Sequence, residues 1–188
     1  MSITLPENMP AIRKLQNAPG LDWCEAVDVP EVGPRDVLVK VTHAGICGTD
    51  RHIYEWDKWS QDRVKIGITT GHEFVGEVID TGSAVDRVSI GQRVSGEGHI
   101  GCGVCEMCRT GKGHICDKVV ILGIDCNGCF APYVSIPEEN CQRPAMFFKK
   151  RVVPDRPSSL VKGTLRDSSE ANDSDNSAPI NDQVPLEM

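Results

Sequence analysis

Through about the first 145 residues, short stretches of alternating apolar and polar positions are separated by Gly, Pro and Asp. Asp36-Val-Leu-Val-Lys-Val-Thr42 puts Val37, Val39 and Val41 on one side of an extended chain. A side-chain period of two marks a β-strand with one face covered. Glu73-Phe-Val-Gly-Glu-Val-Ile79 predicts a second strand. Ala131-Pro-Tyr-Val-Ser-Ile136 predicts a third, which Pro132 confines to an edge or a strand start because proline has no N–H for a ladder. Between the first two, Thr49 to Trp56 predicts one or two turns of helix with Thr49 as the N-cap. Short strands broken by turn residues predict a mainly β chain with few short helices, its sheet folded on itself as a barrel or sandwich.

The pattern stops near residue 145. No aromatic residue follows Phe148, and beyond Arg166 there are six acids and no base among Ser, Asn and Pro. Such a segment buries too little apolar surface to offset chain entropy, so 146–188 is expected to be a disordered polar tail. The remaining divisions are a lead-in with a first strand over 1–20 and one folded domain over 21–145. The chain's 188 residues agree with one domain and a remainder. Hydrophobic residues make up 39% and aromatics only 5%, so the core must be mostly aliphatic.

A net charge of −7 argues against a general nucleic-acid binder, which needs surplus Lys and Arg. No apolar run approaches the ~20 residues of a bilayer span, and the N-terminal residues lack signal- and transit-peptide patterns. The expectation is a cytoplasmic protein with no membrane and no nucleic-acid partner. Nine cysteines in a reducing compartment then point to metal or redox chemistry rather than disulfides, and an odd number cannot all pair within one chain.

Four cysteines form the most specific motif. Cys102-Gly-Val-Cys105-Glu-Met-Cys108 leads after seven residues to Cys116, with Gly101, Gly103, Gly111 and Gly113 letting the loop curl. Four thiolates close the shell of a tetrahedral zinc and leave no open position, so a structural zinc lobe is expected over 99–118. The competing readings are an iron–sulfur cluster, whose bacterial run ends C-x3-C-P, or free thiols. His114 is expected at the surface. Cys126-Asn-Gly-Cys129 has C-x-x-C spacing but no βαβ context for a redox site.

A second constellation is spread over two segments, Gly45-Ile-Cys47-Gly-Thr49-Asp50-Arg-His52 and Gly71-His72-Glu73-Phe-Val-Gly76. Cys47, His72 and Glu73 offer S, N and O ligands, and three protein ligands with a free position is the pattern of catalytic zinc. Thr49 and His52 lie three residues apart, so one helical turn puts a hydroxyl and an imidazole on one face as a proton relay. Trp56 and Trp59 either line the cleft or pack in the core.

Gly71-His-Glu-x-x-Gly76 with Gly82 and Val85, Cys47-Gly-Thr-Asp50, the four-cysteine lobe and Gly91-Gln-Arg-Val94 follow one another in the order seen in the zinc-containing alcohol dehydrogenases. Over about residues 22 to 144 the chain resembles that medium-chain family. Within it, His52-Ile-Tyr-Glu-Trp-Asp-Lys-Trp-Ser-Gln61 and Arg93-Val-Ser-Gly-Glu-Gly-His-Ile100 resemble the L-threonine 3-dehydrogenases. The resemblance implies a chaperonin-10-like (GroES-like) β-barrel catalytic domain. It implies Cys47, His72 and Glu73 at a catalytic zinc, with Glu73 in a neighbouring or exchangeable role. Thr49 and His52 would relay protons, and Cys102, Cys105, Cys108 and Cys116 would hold a structural zinc, making two zincs per chain.

The implied reaction oxidises the 3-hydroxyl of L-threonine to 2-amino-3-oxobutanoate with NAD, zinc acting as Lewis acid. The sequence departs from the family in two respects, one being that the family's downstream acid or Cys near the catalytic metal has no counterpart after Pro144. No G-x-G-x-x-G opens a helix after a strand, so the family's Rossmann domain is expected to be absent and no NAD site is found. The expected product is a truncated catalytic domain, inactive alone, with a homo-oligomer or other partner on the face the missing domain leaves. A non-catalytic zinc-stabilised barrel and a sorbitol or other polyol dehydrogenase remain the alternatives.

Overall fold

The structure, a computed structural model, describes residues 4–143. The expected tail over 146–188 lies outside the described residues. Strands β1 (Asn8–Lys14), β2 (Asp22–Asp28) and β3 (Asp36–Gly45) are followed by helices α1 (Gly48–Glu55) and α2 (Lys58–Arg63). Then come β4 (Ile68–Thr69), β5 (Glu73–Thr81), β6 (Arg93–Gly96) and β7 (His99–Ile100), and the one-turn helix α3 (Glu106–Arg109). β8 (Val120–Ile121), β9 (Tyr133–Pro137) and β10 (Cys141–Gln142) complete the described chain. The class is mainly β with few short helices, as the alternation predicts. Among the described residues no helix is long and apolar enough to cross a membrane.

Five strands form the main sheet in the order β10-β6-β5-β3-β9, all antiparallel. β9 is its edge and starts just after Pro132, in line with the edge-or-start reading of that proline. Smaller sheets are β2-β1-β4 and β7-β8. The register of β3 against β5 shifts between Leu38 and Val39 and again between Val41 and His43, and such bulges bend a strand and increase its twist. The curled sheet surrounds Val37, Val39, Phe74, Val78, Val94, Leu122, Val134 and Ile136. Each fully buried aliphatic side chain contributes ~1.5–3 kcal/mol relative to an exposed one. The single-face reading of β3 needs one correction, because Leu38 is buried as well as its neighbours Val37 and Val39. Its other face is therefore covered too.

A second core sits under the helices, where Ile53 and Trp56 of the α1 end pack with Val64, Ile68 and Ile124. Trp56 thus packs. It ends α1 in the left-handed region (φ 57°), and its N–H donates to the His52 carbonyl. Lys14 is buried beside it, its Nζ 4.1 Å from the Trp56 ring centroid and donating to the carbonyls of Ala18 and Gly20. The bidentate pair of Arg63 with Asp125 ties α2 to the segment after β8.

One backbone crossing places the start of β5. Gly128 N–H donates to Thr69 O (2.7 Å), Cys129 N–H to Gly71 O (2.9 Å) and Phe130 N–H to Thr70 O (2.9 Å). Gly71 adopts φ +87°, and a side chain there would run into the Phe130 ring. A Cβ on Gly128 would lie 2.0 Å from Gly71 O, so the two backbones meet only because Gly128 has none. Gly128→Ala should therefore destabilise the zinc-loaded chain by about 2 kcal/mol or more in urea denaturation. Gly91→Ala, at φ +84° with open space around it, should cost only the ~1–2 kcal/mol of a left-handed alanine and leave the metal content unchanged.

Candidate metal centres and the adjoining cavity

The segment 99–118 brings its four thiols to one point. The ligand atoms of Cys102, Cys105, Cys108 and Cys116 all lie within 4.8 Å of one another. Cys105 is the N-cap of α3, its Sγ accepting the Cys108 N–H at 3.5 Å, while the Cys102 and Lys118 N–H groups donate to Cys116 Sγ at 3.4 and 3.3 Å. The Sγ atoms of Cys105 and Cys116 are 3.7 Å apart. A tetrahedron with ~2.3 Å metal–sulfur bonds has edges of about 3.8 Å, so the pair already stands at the zinc spacing. Backbone N–H groups of Val104 and Cys105 lower the Cys102 thiol to about 6, and removal from water raises Cys108 to about 12. His114 is exposed and stands outside the group.

The second centre forms where α1 meets β5. Cys47, not Thr49, is the N-cap of α1, which corrects the expected cap by two residues. Its Sγ accepts the Thr49 N–H at 3.3 Å, and Asp50 Oδ2 accepts the Cys47 N–H at 2.9 Å, so the two residues close a capping box. Sulfur here is a poor relative of the usual cap oxygens, which is why Thr49 looked the better candidate. His72, immediately after the Gly71 crossing, brings Nε2 to 3.1 Å from Cys47 Sγ. His72 Nδ1 and Asp50 Oδ1 are both buried without a hydrogen-bond partner and lie 3.8 Å apart. These orphaned atoms fit a metal-ligating histidine, whose second nitrogen ordinarily faces a carboxylate. Cys47, Asp50 and His72 together form the second convergent group among the described residues.

Glu73 is not brought to this group. Glu73 is the first residue of β5 and pairs with Gly45 of β3, while His72 lies just before the strand and faces Cys47. Glu73 is exposed, lies against Gly45 of β3, and lines a separate open cavity with His43, Phe74 and Ser95. Asp50, which the sequence reading passed over, stands in the cluster instead. Its position three residues after Cys47 was the available signal.

Thr49 and His52 do share a face. With Asp57 and Trp59 they line a cavity of about 250 Å³. His52 Nδ1 is 2.7 Å from Asp57 Oδ2, and the Trp59 ring meets the imidazole edge-on with centroids 6.4 Å apart. Trp56 therefore packs while Trp59 lines the cavity. Burial pushes Cys129 up to about 12 and raises Cys126, and each sulfur faces a different carbonyl, Glu73 and Ile121.

Comparison with known proteins agrees with this geometry. The alcohol dehydrogenase GroES-like domain matches residues 33–145. L-threonine 3-dehydrogenase of Chelativorans sp. (strain BNC1) is 54% identical over 132 residues, covering 70% of this chain and 38% of the relative. The enzyme of the same name from Mesorhizobium japonicum is 52% identical over the same shares. The solved alcohol dehydrogenase TADH from Thermus sp. ATN1 superposes with a TM-score of 0.61 at 32% identity, over 70% of this chain and 38% of that one. The chain thus spans well under half the length of these relatives. Among the described residues no doubly wound dinucleotide-binding sheet is present. The family's domain covers more than half of the chain, and the chain belongs to the alcohol dehydrogenase GroES-like domain family.

Proposed function

We propose that this chain supplies the catalytic half of a zinc-dependent L-threonine 3-dehydrogenase. The observation that carries the proposal is the convergence of Cys47 Sγ, His72 Nε2 and the Asp50 carboxylate beside a cavity walled by Thr49 and His52. The identity with threonine dehydrogenases directs the choice of substrate. Cys47 and His72 would hold the catalytic zinc, and Cys102, Cys105, Cys108 and Cys116 the structural one. When bound, the catalytic zinc supplies Lewis acidity toward the substrate's 3-hydroxyl and NAD accepts the hydride.

The chain's own residues do the rest. Asp50 holds the Cys47 N–H and stands where it can accept from His72 Nδ1, which leaves Nε2 free for the metal. The Thr49 hydroxyl passes the substrate's proton toward His52, and His52, more than half exposed, delivers it to water. Glu73, exposed and set against Gly45, stays outside the resident ligand set.

Metal analysis of the purified full chain should find two zincs. Cys116→Ser should remove one and lower the thermal transition, while His72→Ala should remove the other and leave the lobe folded. A wild-type chain that retains one zinc at most would favour a purely structural barrel. Zinc binding should also weaken as pH falls, because protons compete for the thiolates. Cys108 must lose its proton to bind at any working pH, and Cys102 becomes protonated as well once pH drops below about 6. Competition with a chromophoric chelator should therefore show affinity falling on acidification, more steeply below that point. A flat profile would contradict four-sulfur ligation.

The substrate is tested with a chimera joining residues 1–143 to the downstream part of the Chelativorans enzyme. L-Threonine should drive NAD reduction, and His52→Gln should lower kcat by roughly 10²–10⁴-fold with zinc retained. A zinc-loaded chimera that oxidises polyols and ignores L-threonine would overturn the substrate assignment.

A further inference from the structure

Asp57 carries out two tasks with its two oxygens. Oδ1 accepts the Ser60 N–H at 2.9 Å and caps α2, and Oδ2 meets His52 Nδ1 at 2.7 Å. The chain reaches this arrangement through the left-handed Trp56, which turns it back across the end of α1. Donation from Ser60, followed by contact with His52, holds the Asp57 carboxyl below its usual range. An ionised carboxylate only accepts, so the hydrogen between the two groups belongs to His52 Nδ1. Trp59, one residue inside α2, packs edge-on against the ring.

We propose that Asp57 is a positioning residue that fixes His52 as the Nδ1–H tautomer, so that the bare Nε2 is the atom available to take a proton from the Thr49 side of the cavity. The assignment rests on the relay role given to His52 above. It adds what that role requires, since a neutral imidazole accepts through one nitrogen only, and a ring free to change tautomer would present a donor part of the time. The N-cap of α2 thereby couples the fold of one helix to the proton chemistry of another.

The test reads the tautomer and needs no turnover. Long-range ¹H–¹⁵N spectra of the zinc-loaded full chain are recorded at about pH 8.5, where an ordinary imidazole is neutral. The His52 signals are assigned by their loss in His52→Gln. Wild type should show Nδ1 protonated and Nε2 as the bare acceptor. Asp57→Asn keeps the cap, because Asn is as good an N-cap as Asp, but turns an amide NH₂ toward Nδ1. The two ¹⁵N positions should then exchange, with Nε2 becoming the protonated nitrogen. Asp57→Ser also keeps the cap but is one bond too short to reach the ring, and should show loss of the fixed Nδ1–H form. Circular dichroism should be unchanged in both variants. A wild-type His52 protonated on Nε2, or variants that leave the tautomer as in wild type, would overturn the proposal. If the tautomer responds as stated but His52→Gln leaves the chimera's kcat intact, the relay role fails and the positioning by Asp57 stands.

Discussion

The contact of two backbones at Gly71 and Gly128 is the constraint on which the rest of the site depends. Nothing larger than hydrogen fits between Gly128 and the Gly71 carbonyl, and three N–H groups from 128–130 clamp the chain just before His72. β1 joins the same junction, since Ile12 N–H donates to Phe130 O and Thr70 N–H to Ile12 O. The imidazole that faces Cys47 is therefore carried by a main chain held from two sides. A metal centre needs its ligands placed to a fraction of an ångström, and rigid backbone provides that placement better than a free loop does.

The second regularity lies at helix starts. Among the described residues the helices α1, α2 and α3 are each capped at the N-terminus by an ionisable side chain, Cys47, Asp57 and Cys105 in turn. A helix N-terminus leaves N–H groups without intrahelical partners and favours negative charge there. A thiolate or carboxylate answers both demands. Capping in turn fixes the side chain's rotamer, so local folding and site preorganisation are one event. α1 and α2 are too short to be stable alone, and Ile53, Trp56 and Val64 hold them against the body.

Much of this was legible in the sequence. β3 follows from its valine alternation, β5 from the short apolar-rich run Glu73 to Ile79, the edge or start position of β9 from Pro132, and the lobe from four cysteines in fifteen residues. β2 was not legible because most of its positions are exposed or only half covered, leaving no strong apolar rhythm. α2 has six residues, fewer than two helical turns, too few for a period to show. The cap was misplaced because sulfur is not among the usual cap atoms, so Thr49 outscored Cys47. Glu73 was grouped with His72 for its oxygen ligand, and ligand type carries no sign that β5 starts at Glu73 and sets it against Gly45. Asp50 and Asp57 were missed for one reason: their importance comes from a turn that folds each back onto a residue three to five positions earlier. Thr49 and His52, paired by helical spacing alone, do line one cavity.

The central claim is that two centres of different chemistry share one small domain, a closed four-sulfur site and an open sulfur–nitrogen site. Zinc-edge X-ray absorption of the two-zinc chain measures this directly. Five sulfurs shared between two ions, with nitrogen or oxygen completing the ligand set of the second ion, is the predicted result, reducing to four sulfurs on one ion in His72→Ala. Two all-sulfur ions, or nitrogen remaining on the single ion of that variant, would contradict the account.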